Sequence, residues 1–255
     1  MEGLRDKLFI STVAQDAPWL AREYGLGLEI AEFCTAFNMD IEAQTWISRV
    51  RENMGGLSRF LFHAPYNELC PAAVDPLIIE VARQRYTQAY GLMQRFGIHT
   101  MIVHSGFMKV LYEEEWFIRH SVEFWKRFLE DKPPSFVLHL ENVFEEDPVM
   151  LIQIISRVQD KRFRLCLDIG HAALAGARLP MDDWIEQAAP YLGHVHLHNN
   201  HGERDTHNSL GDGLIDIMSI LQSAMKNAPQ ASYTIEATSA SASIAWLVEH
   251  KWIER

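Results

Sequence analysis

The sequence predicts an α/β protein, a single (β/α)8 barrel spanning residues 1–255 as one domain. Three observations predict it. Short apolar runs alternate with amphipathic stretches along the whole chain, and strict strand-then-helix alternation implies parallel strands joined by helical crossovers. The length of 255 residues matches the roughly 250 that one closed barrel of this kind needs. Six of the runs end on Asp, Glu or His, and the C-terminal ends of the strands are where such a barrel carries its chemistry.

The candidate strands are 7–11, 27–32, 59–64, 100–105, 135–141, 163–168, 193–198 and 232–236. The helical patterns between them are 16–24, 40–54, 75–96, 113–131, 148–159, 181–189 and 214–227, with 240–252 closing the chain. Several boundaries are punctuated. Asp75 followed by Pro76 reads as an N-cap with proline at the first helical position, and Asp147 followed by Pro148 repeats the device. Glu113, Glu114 and Glu115 open a helix, where the macrodipole favours carboxylates; they read as a solvated helix start. Gly211-Asp212-Gly213 precedes a helix and reads as a turn, with presentation of amides to an anion as the alternative. There is no linker, low-complexity tract or repeat beyond the strand–helix period.

Composition narrows the function classes. Hydrophobic residues make up 48% of the chain, enough for a large core. No stretch approaches the roughly 18 apolar residues of a membrane span. The opening segment MEGLRDKLFISTVAQ lacks a basic region followed by an apolar one, so no secretory signal is expected. Cys34, Cys70 and Cys166 are few and odd in number, which suits a reducing cytoplasm and argues against a disulfide framework. A net charge of −11 disfavours polyanion binding.

The strand ends carry the functional signal. The runs FLFH, TMIVH, FVLHLE, RLCLD, HVH and YTIE end on His63, His104, Glu141, Asp168, His196 and Glu236. Strand side chains alternate in direction. With Glu141 therefore goes His139, with Asp168 goes Cys166, and with His196 go His194 and His198, while Leu165 and Leu167 face the helices. One histidine at a strand end is more often structural than a ligand. His99, His120 and His250 fall in helices or at helix ends and read as surface residues. Six metal-type groups on converging strands are different: they need a counter-charge, and no lysine or arginine ends any of these runs. The expectation is a divalent metal. His171, three residues after Asp168, and Asp205 and His207 in the DTH of the loop after the seventh strand extend the ligand set. Mixed histidine and carboxylate donors suit Zn, Mn or Fe, and leave the choice among them open.

The motifs FLFHAPY, IVHSGF, HLENV, LDIGHA, HVHLHNN, RDTHNSLGDG and IEAT resemble those of the xylose-isomerase-like TIM-barrel superfamily. It holds the endonuclease IV family of apurinic-site nucleases and the sugar and sugar phosphate isomerases and epimerases. The resemblance runs from about the first strand to Glu236. In the isomerase and epimerase branch it implies one metal held by Glu141, Asp168, His196 and Glu236. The two glutamates stand on opposite faces of the sugar carbon and shuttle its proton. In the nuclease branch it implies three zincs. One is held by His63, His104 and Glu141. The second shares Glu141 and adds Asp168, His196 and Glu236. The third is held by His171, Asp205 and His207. One to three ions are thus implied. Asn199 stands where the family often has an aspartate, which removes a base and a charge there.

The mouth loops discriminate between the branches. A nuclease grips phosphates with lysine, arginine or backbone amides. The loops CTAFNMD, HAPYNELCPAA and TSASAS contain no basic residue, and NVFEEDP is acidic. Only Lys109, Arg178 and Arg204 lie in mouth loops. Trp19, Phe37, Tyr66, Phe107 and Phe144 are candidates to wall a small-molecule pocket. Trp46, Trp116, Trp125, Trp246 and Trp252 fall in helical patterns and read as packing against the barrel. The favoured reading is a divalent-metal-dependent isomerase or epimerase of a small sugar, sugar phosphate or polyol-derived ketone. Glu141 and Glu236 are its catalytic residues, and Arg204, Tyr66, Phe107, Asn142 and His198 its substrate contacts. The alternatives are a zinc-dependent phosphodiesterase or apurinic-site endonuclease, and a metal barrel with other chemistry, such as a dehydratase or a binding protein. The expected partner is a small molecule, not nucleic acid or membrane. Barrels of this type often pair, which leaves a homo-oligomer open.

Overall fold

The computed structural model describes residues 3–176 and 178–254. Eight strands close in chain order: β1 Leu8–Ser11, β2 Gly27–Ile30, β3 Phe60–His63, β4 Thr100–His104, β5 Val137–Glu141, β6 Phe163–Asp168, β7 Leu192–Leu197 and β8 Ser232–Ile235. Every neighbouring pair is parallel, and β8 returns to β1. Around them lie α1 Ala17–Tyr24, α2 Ala36–Asp40, α3 Ala43–Met54, α4 Pro76–Arg95, α5 Glu114–Glu130, α6 Val149–Val158, α7 Ile169–Leu174, α8 Met181–Ala188, α9 Ile217–Asn227 and α10 Ala240–Glu249. Among the described residues no helix is long and apolar enough to cross a membrane.

The predicted elements are present, with local differences. Asp75 caps α4, its Oδ1 accepting from the Leu77 amide at 2.8 Å, with Pro76 first in the helix. Pro148 precedes α6 rather than opening it, while Asp147 Oδ1 still accepts from the Val149 amide at 3.0 Å. The helix expected over 40–54 begins at Ala43 as α3, and a short helix that was not expected, α2, precedes it. Ile41 leaves α2 extended and Glu42 turns through a left-handed φ of 60°. The helix expected from 214 begins at Ile217, where Asp216 caps it by accepting from the Ser219 amide. Helix α7 was not expected: Asp168, the last residue of β6, also caps it, with Oδ1 2.7 Å from the His171 amide.

The interior is layered. Phe9, Leu61, Ile102 and Cys166 form an apolar plug inside the barrel. Gly27 faces Phe9, where a Cβ would lie 2.2 Å from the ring. At the level of the plug, Glu29, His139, His194 and Thr234 are buried; His139 is in register with Ile102, His194 with Cys166 and Thr234 with Phe9. A larger core between sheet and helices includes Tyr86, Trp125, Trp184 and Trp252. Between β6 and β7 the register shifts: Leu165 faces Leu192, but Cys166 faces His194 and Asp168 faces His196. Gly193 is the extra residue of this bulge. A Cβ on it would meet Arg164 Cβ at 2.8 Å and His139 Nε2 at 2.9 Å. The bulge thus sets the phase that brings His194 and His196 inward beside Asp168.

Candidate metal centre and active site

The hub of the mouth is His196. Its Nδ1 lies 2.9 Å from Glu236 Oε2, 3.2 Å from Glu141 Oε1 and 3.7 Å from Asp168 Oδ2. Two flanking groups adjoin it. His63 Nε2 and His104 Nε2 approach Glu141 Oε2 at 3.3 and 3.4 Å. On the other side, His171 Nε2 and His207 Nε2 meet Asp205 Oδ2 at 3.1 and 3.0 Å. His171 Nδ1 also stands 3.4 Å from Glu141 Oε1. The structure therefore brings all nine expected ligands together at one end of the barrel. Glu236 lies one residue past β8 and holds its position through its amide, which donates to the Leu197 carbonyl.

The outer nitrogens of these rings are committed. His63 Nδ1 faces the Ala64 carbonyl at 2.9 Å, His171 Nδ1 the Asn142 carbonyl at 3.0 Å and His207 Nδ1 the Glu236 carbonyl at 2.7 Å. A carbonyl only accepts, so each of these nitrogens carries the proton and Nε2 is turned to the cluster. Outer partners of this kind orient metal-binding imidazoles. For His196 the partner is Glu29, whose Oε2 is 3.3 Å from Nε2 and also accepts from Thr234 Oγ1 at 2.6 Å. His207 adopts a left-handed φ of 47°, uncommon outside glycine. Thr238 holds it there by donating to the His207 carbonyl.

Asp168 is the most heavily supported carboxylate. Both its oxygens lie 3.0 Å from His198 Nε2. The Asn142 side chain brackets its backbone, accepting from the amide at 2.8 Å and donating to the carbonyl at 2.9 Å. Gly170 leaves room for His198: a Cβ there would lie 1.9 Å from His198 Cε1.

Charge is balanced inside the cluster. Burial works to raise the carboxylates, but the imidazoles outweigh it. His104 and His196 hold Glu141 well below the usual range, His171 and His198 do so for Asp168, and His196 lowers Glu236. Burial likewise opposes protonation of the rings. The facing carboxylates nevertheless push His171 well above the ordinary imidazole value and His63 and His207 up to about 9, and Cys166 together with Glu236, Glu29 and Glu141 pushes His196 well above it. Among the candidate ligands burial prevails at His104, which falls to about 4, as it does at His139 and His194 beneath them. Without a cation, protons on imidazoles balance the carboxylates. A divalent cation fits the same donors. Glu141 Oε2 is buried without a hydrogen-bond partner between His63 and His104, and one ligand atom from each of those three residues falls within 4.8 Å of the others. The same holds for His171, Asp205 and His207. Imidazole with carboxylate is a donor set for Zn, Mn or Fe.

A cavity of about 720 Å³ opens above the cluster, with His63, His104, Glu141, His171, Asp205, His207 and Glu236 at its floor. Tyr66 and Phe107, expected as substrate contacts, line it, and so does Phe144. Trp19 and Phe37 stand exposed outside it. Three expected substrate contacts also lie elsewhere. Asn142 follows Glu141 by one residue, so alternation turns it out of the mouth and onto β6. His198 has the inward phase but is buried under the β6–α7 turn, stacked on His207 at 4.0 Å. Arg204 is exposed on the loop that turns its neighbour Asp205 inward, and it does not reach the cavity. Sequence reasoning missed Glu29, fully buried in β2. The available signal was a carboxylate inside the otherwise apolar run GLEI.

Comparison with known proteins follows the same lines. The family model for the xylose isomerase-like TIM barrel matches residues 20–253. The chain is similar to the uncharacterized protein MJ1311 of Methanocaldococcus jannaschii, at 25% identity over 173 residues. That match covers 63% of this chain and 58% of the relative, so the chain spans less than two thirds of that protein. Among solved structures, the TTHB071 protein from Thermus thermophilus, soaked with ZnCl2, superposes with a TM-score of 0.77 at 20% identity, over 98% of this chain and 99% of that one. A D-tagatose 3-epimerase-like protein superposes with a TM-score of 0.75 at 18% identity, over 96% of each chain. Likenesses this distant establish the fold.

Proposed function

This chain belongs to the xylose isomerase-like TIM barrel family, and we propose that it is a divalent-metal-dependent isomerase or epimerase of a small hydroxy-ketone or sugar. One observation carries the reading. Glu141, at the end of β5, and Glu236, one residue past β8, reach the same nitrogen of His196 at the floor of a cavity whose lining, among the described residues, contains no lysine or arginine. The epimerase-like neighbour is consistent with it.

A bound divalent ion would be held by Glu141, Asp168, His196 and Glu236, and would supply Lewis-acid polarisation of a substrate carbonyl. The chain supplies the proton chemistry. Both glutamates are held in the carboxylate form at neutral pH, so either is ready to act as base on the carbon beside the carbonyl. If the opposite glutamate has taken up a proton from solvent, delivery of that proton to the other face inverts the carbon, and the first glutamate is left protonated. Return by the same glutamate to the neighbouring carbon, with the hydroxyl proton passing to the former carbonyl oxygen, isomerises. His63, His104 and His171 stand within 3.4 Å of Glu141 and orient it. Three free cysteines support a cytoplasmic setting.

A zinc phosphodiesterase is the second reading, favoured by the third ligand group of His171, Asp205 and His207. Against it stands the state of the mouth cations. Lys109 and Arg178 both pair with Glu146, outside the main cavity, and Arg204 faces solvent.

The test is incubation of metal-loaded protein with ketoses and hydroxy-ketones in deuterated water. Deuterium should enter beside the carbonyl, or a hydride shift should occur without exchange. Glu236→Gln should fold and lose turnover, and His207→Ala should lose less. Equal, complete loss from both, with metal-dependent nicking of abasic DNA that falls steeply with salt, would overturn the reading.

A further inference from the structure

Above its polar floor the cavity is hydrophobic. Leu69, Ile78, Phe107, Met108, Phe144 and Leu174 are on its wall. Outside the floor, the side chains with hydrogen-bonding capacity are Tyr66, Asn67, Glu68, Cys70 and Tyr112. Tyr66 stacks its ring face to face on His104 at 4.3 Å and offers its hydroxyl alone. Each hydroxyl of a free sugar loses water on entry, and an unreplaced hydrogen bond is costly. This wall replaces few of them. A phosphate or carboxylate would find no cation on it among the described residues.

The size argues the same way. Cavities of roughly 300–1,000 Å³ enclose ligands of drug size, and about 720 Å³ far exceeds the need of a free ketose. The apolar surface is also left in water: Phe144 is 54% exposed, Ile78 41% and Met108 39%. A contiguous apolar patch at a polar, charged floor marks a ligand site.

We infer that the substrate is an uncharged hydroxy-ketone, or its aldehyde isomer, that carries an alkyl or aryl group of several carbons. Its oxygenated head meets the floor and its apolar group lies against Ile78, Phe107, Met108 and Phe144. This inference rests on the proposed metal-dependent reading, since it needs the floor to hold a cation that takes the head.

Alkyl hydroxamates of increasing length probe it, because their head chelates a metal as a hydroxy-ketone does. Zinc-loaded full-length protein is titrated calorimetrically with acetohydroxamate, butanohydroxamate, hexanohydroxamate and octanohydroxamate. Each added methylene should tighten binding about fourfold while it finds wall, as burial of a CH2 group predicts. Octanohydroxamate should bind at least about 100-fold tighter than acetohydroxamate. In Phe144→Ser and Ile78→Ser the length dependence should flatten, a ratio measured within each variant and independent of its stability. If acetohydroxamate binds and the series is flat, for instance because a second copy of the chain covers the wall, the inference fails and the metal reading stands. If no hydroxamate binds the zinc-loaded protein, the metal reading fails and takes the inference with it. A steep series unchanged in both variants also overturns it, because the apolar group then lies elsewhere.

Discussion

Removing the metal should reverse the way stability depends on pH. In the metal-free protein, His63 is raised from its ordinary 6.5 to about 9: burial lowers it, but Glu141, 3.3 Å from Nε2, more than compensates. His207 is raised to the same value, burial again opposing and Asp205 at 3.0 Å prevailing. A group whose folded value is raised stabilises fully below its unfolded value and ceases to do so as pH rises through the folded one. At about 1.4 kcal/mol per pH unit, each ring contributes on the order of 3 kcal/mol below pH 6.5 that is lost by pH 9. His171 and His196 act in the same direction. Metal-free protein should therefore lose stability steadily from about pH 6.5 to 9. The zinc-loaded protein should do the reverse. Zinc takes deprotonated rings, so its affinity rises with pH, and binding to the native state alone converts affinity into stability. The assay is urea unfolding at intervals between pH 6 and 9, with chelator and with excess zinc. Calorimetry in buffers of different ionisation enthalpy adds the count of protons released on zinc binding. Chelated protein with flat or rising stability over that window, or zinc uptake without proton release, would refute the reasoning.

Two further substitutions test the supports of the site. Glu29→Gln keeps a hydrogen-bond acceptor for His196 Nε2 but removes its charge; zinc affinity, read by competition with a chromophoric chelator, should fall about 10- to 100-fold, and an unchanged value would remove Glu29 from the metal site. Gly170→Ala places a Cβ 1.9 Å from His198 Cε1. Overpacking of this kind costs about 1–3 kcal/mol, which for a chain of this size lowers the midpoint by roughly 2–12 °C. Calorimetry should show that loss together with weaker zinc binding, and a wild-type midpoint would mean that His198 has room to move.

The barrel was legible because its signal is long-range and repeated. Eight apolar runs alternate with amphipathic helices, so displaced ends such as Ile30 for 32 or Ile217 for 214 leave the topology intact. Helices α2 and α7 were not legible, since elements of five and six residues hold too little periodicity to stand out. The β6–β7 bulge was also hidden. Nothing in LGHVHL marks Gly193 as the extra residue until Arg164 and His139 are seen to fill the space of its Cβ.

The site was legible in direction but not in depth. Alternation along a strand says which side chains face the barrel interior, and it correctly grouped His139 with Glu141 and His194 with His196. It does not say which of them reaches the mouth. Glu29, His139, His194 and His198 share the phase of the six strand-end candidates and are buried and absent from the lining of the cavity, but so are the candidates Asp168 and His196. Residue type adds nothing to separate them, because the same imidazole serves as ligand at the surface of the cluster and as support beneath it. What separates His198 from His207 is stacking order. The two rings lie 4.0 Å apart, but His198 is under Asp168 while His207 reaches Asp205. That order depends on Gly170 admitting one ring and on the left-handed backbone at His207 turning the other. Gly170 lies in the first turn of α7 and His207 on a loop, and at both the strand's two-residue period has already ended. A residue-type reading therefore identifies the donors of such a centre more readily than it distinguishes them from the groups that hold them.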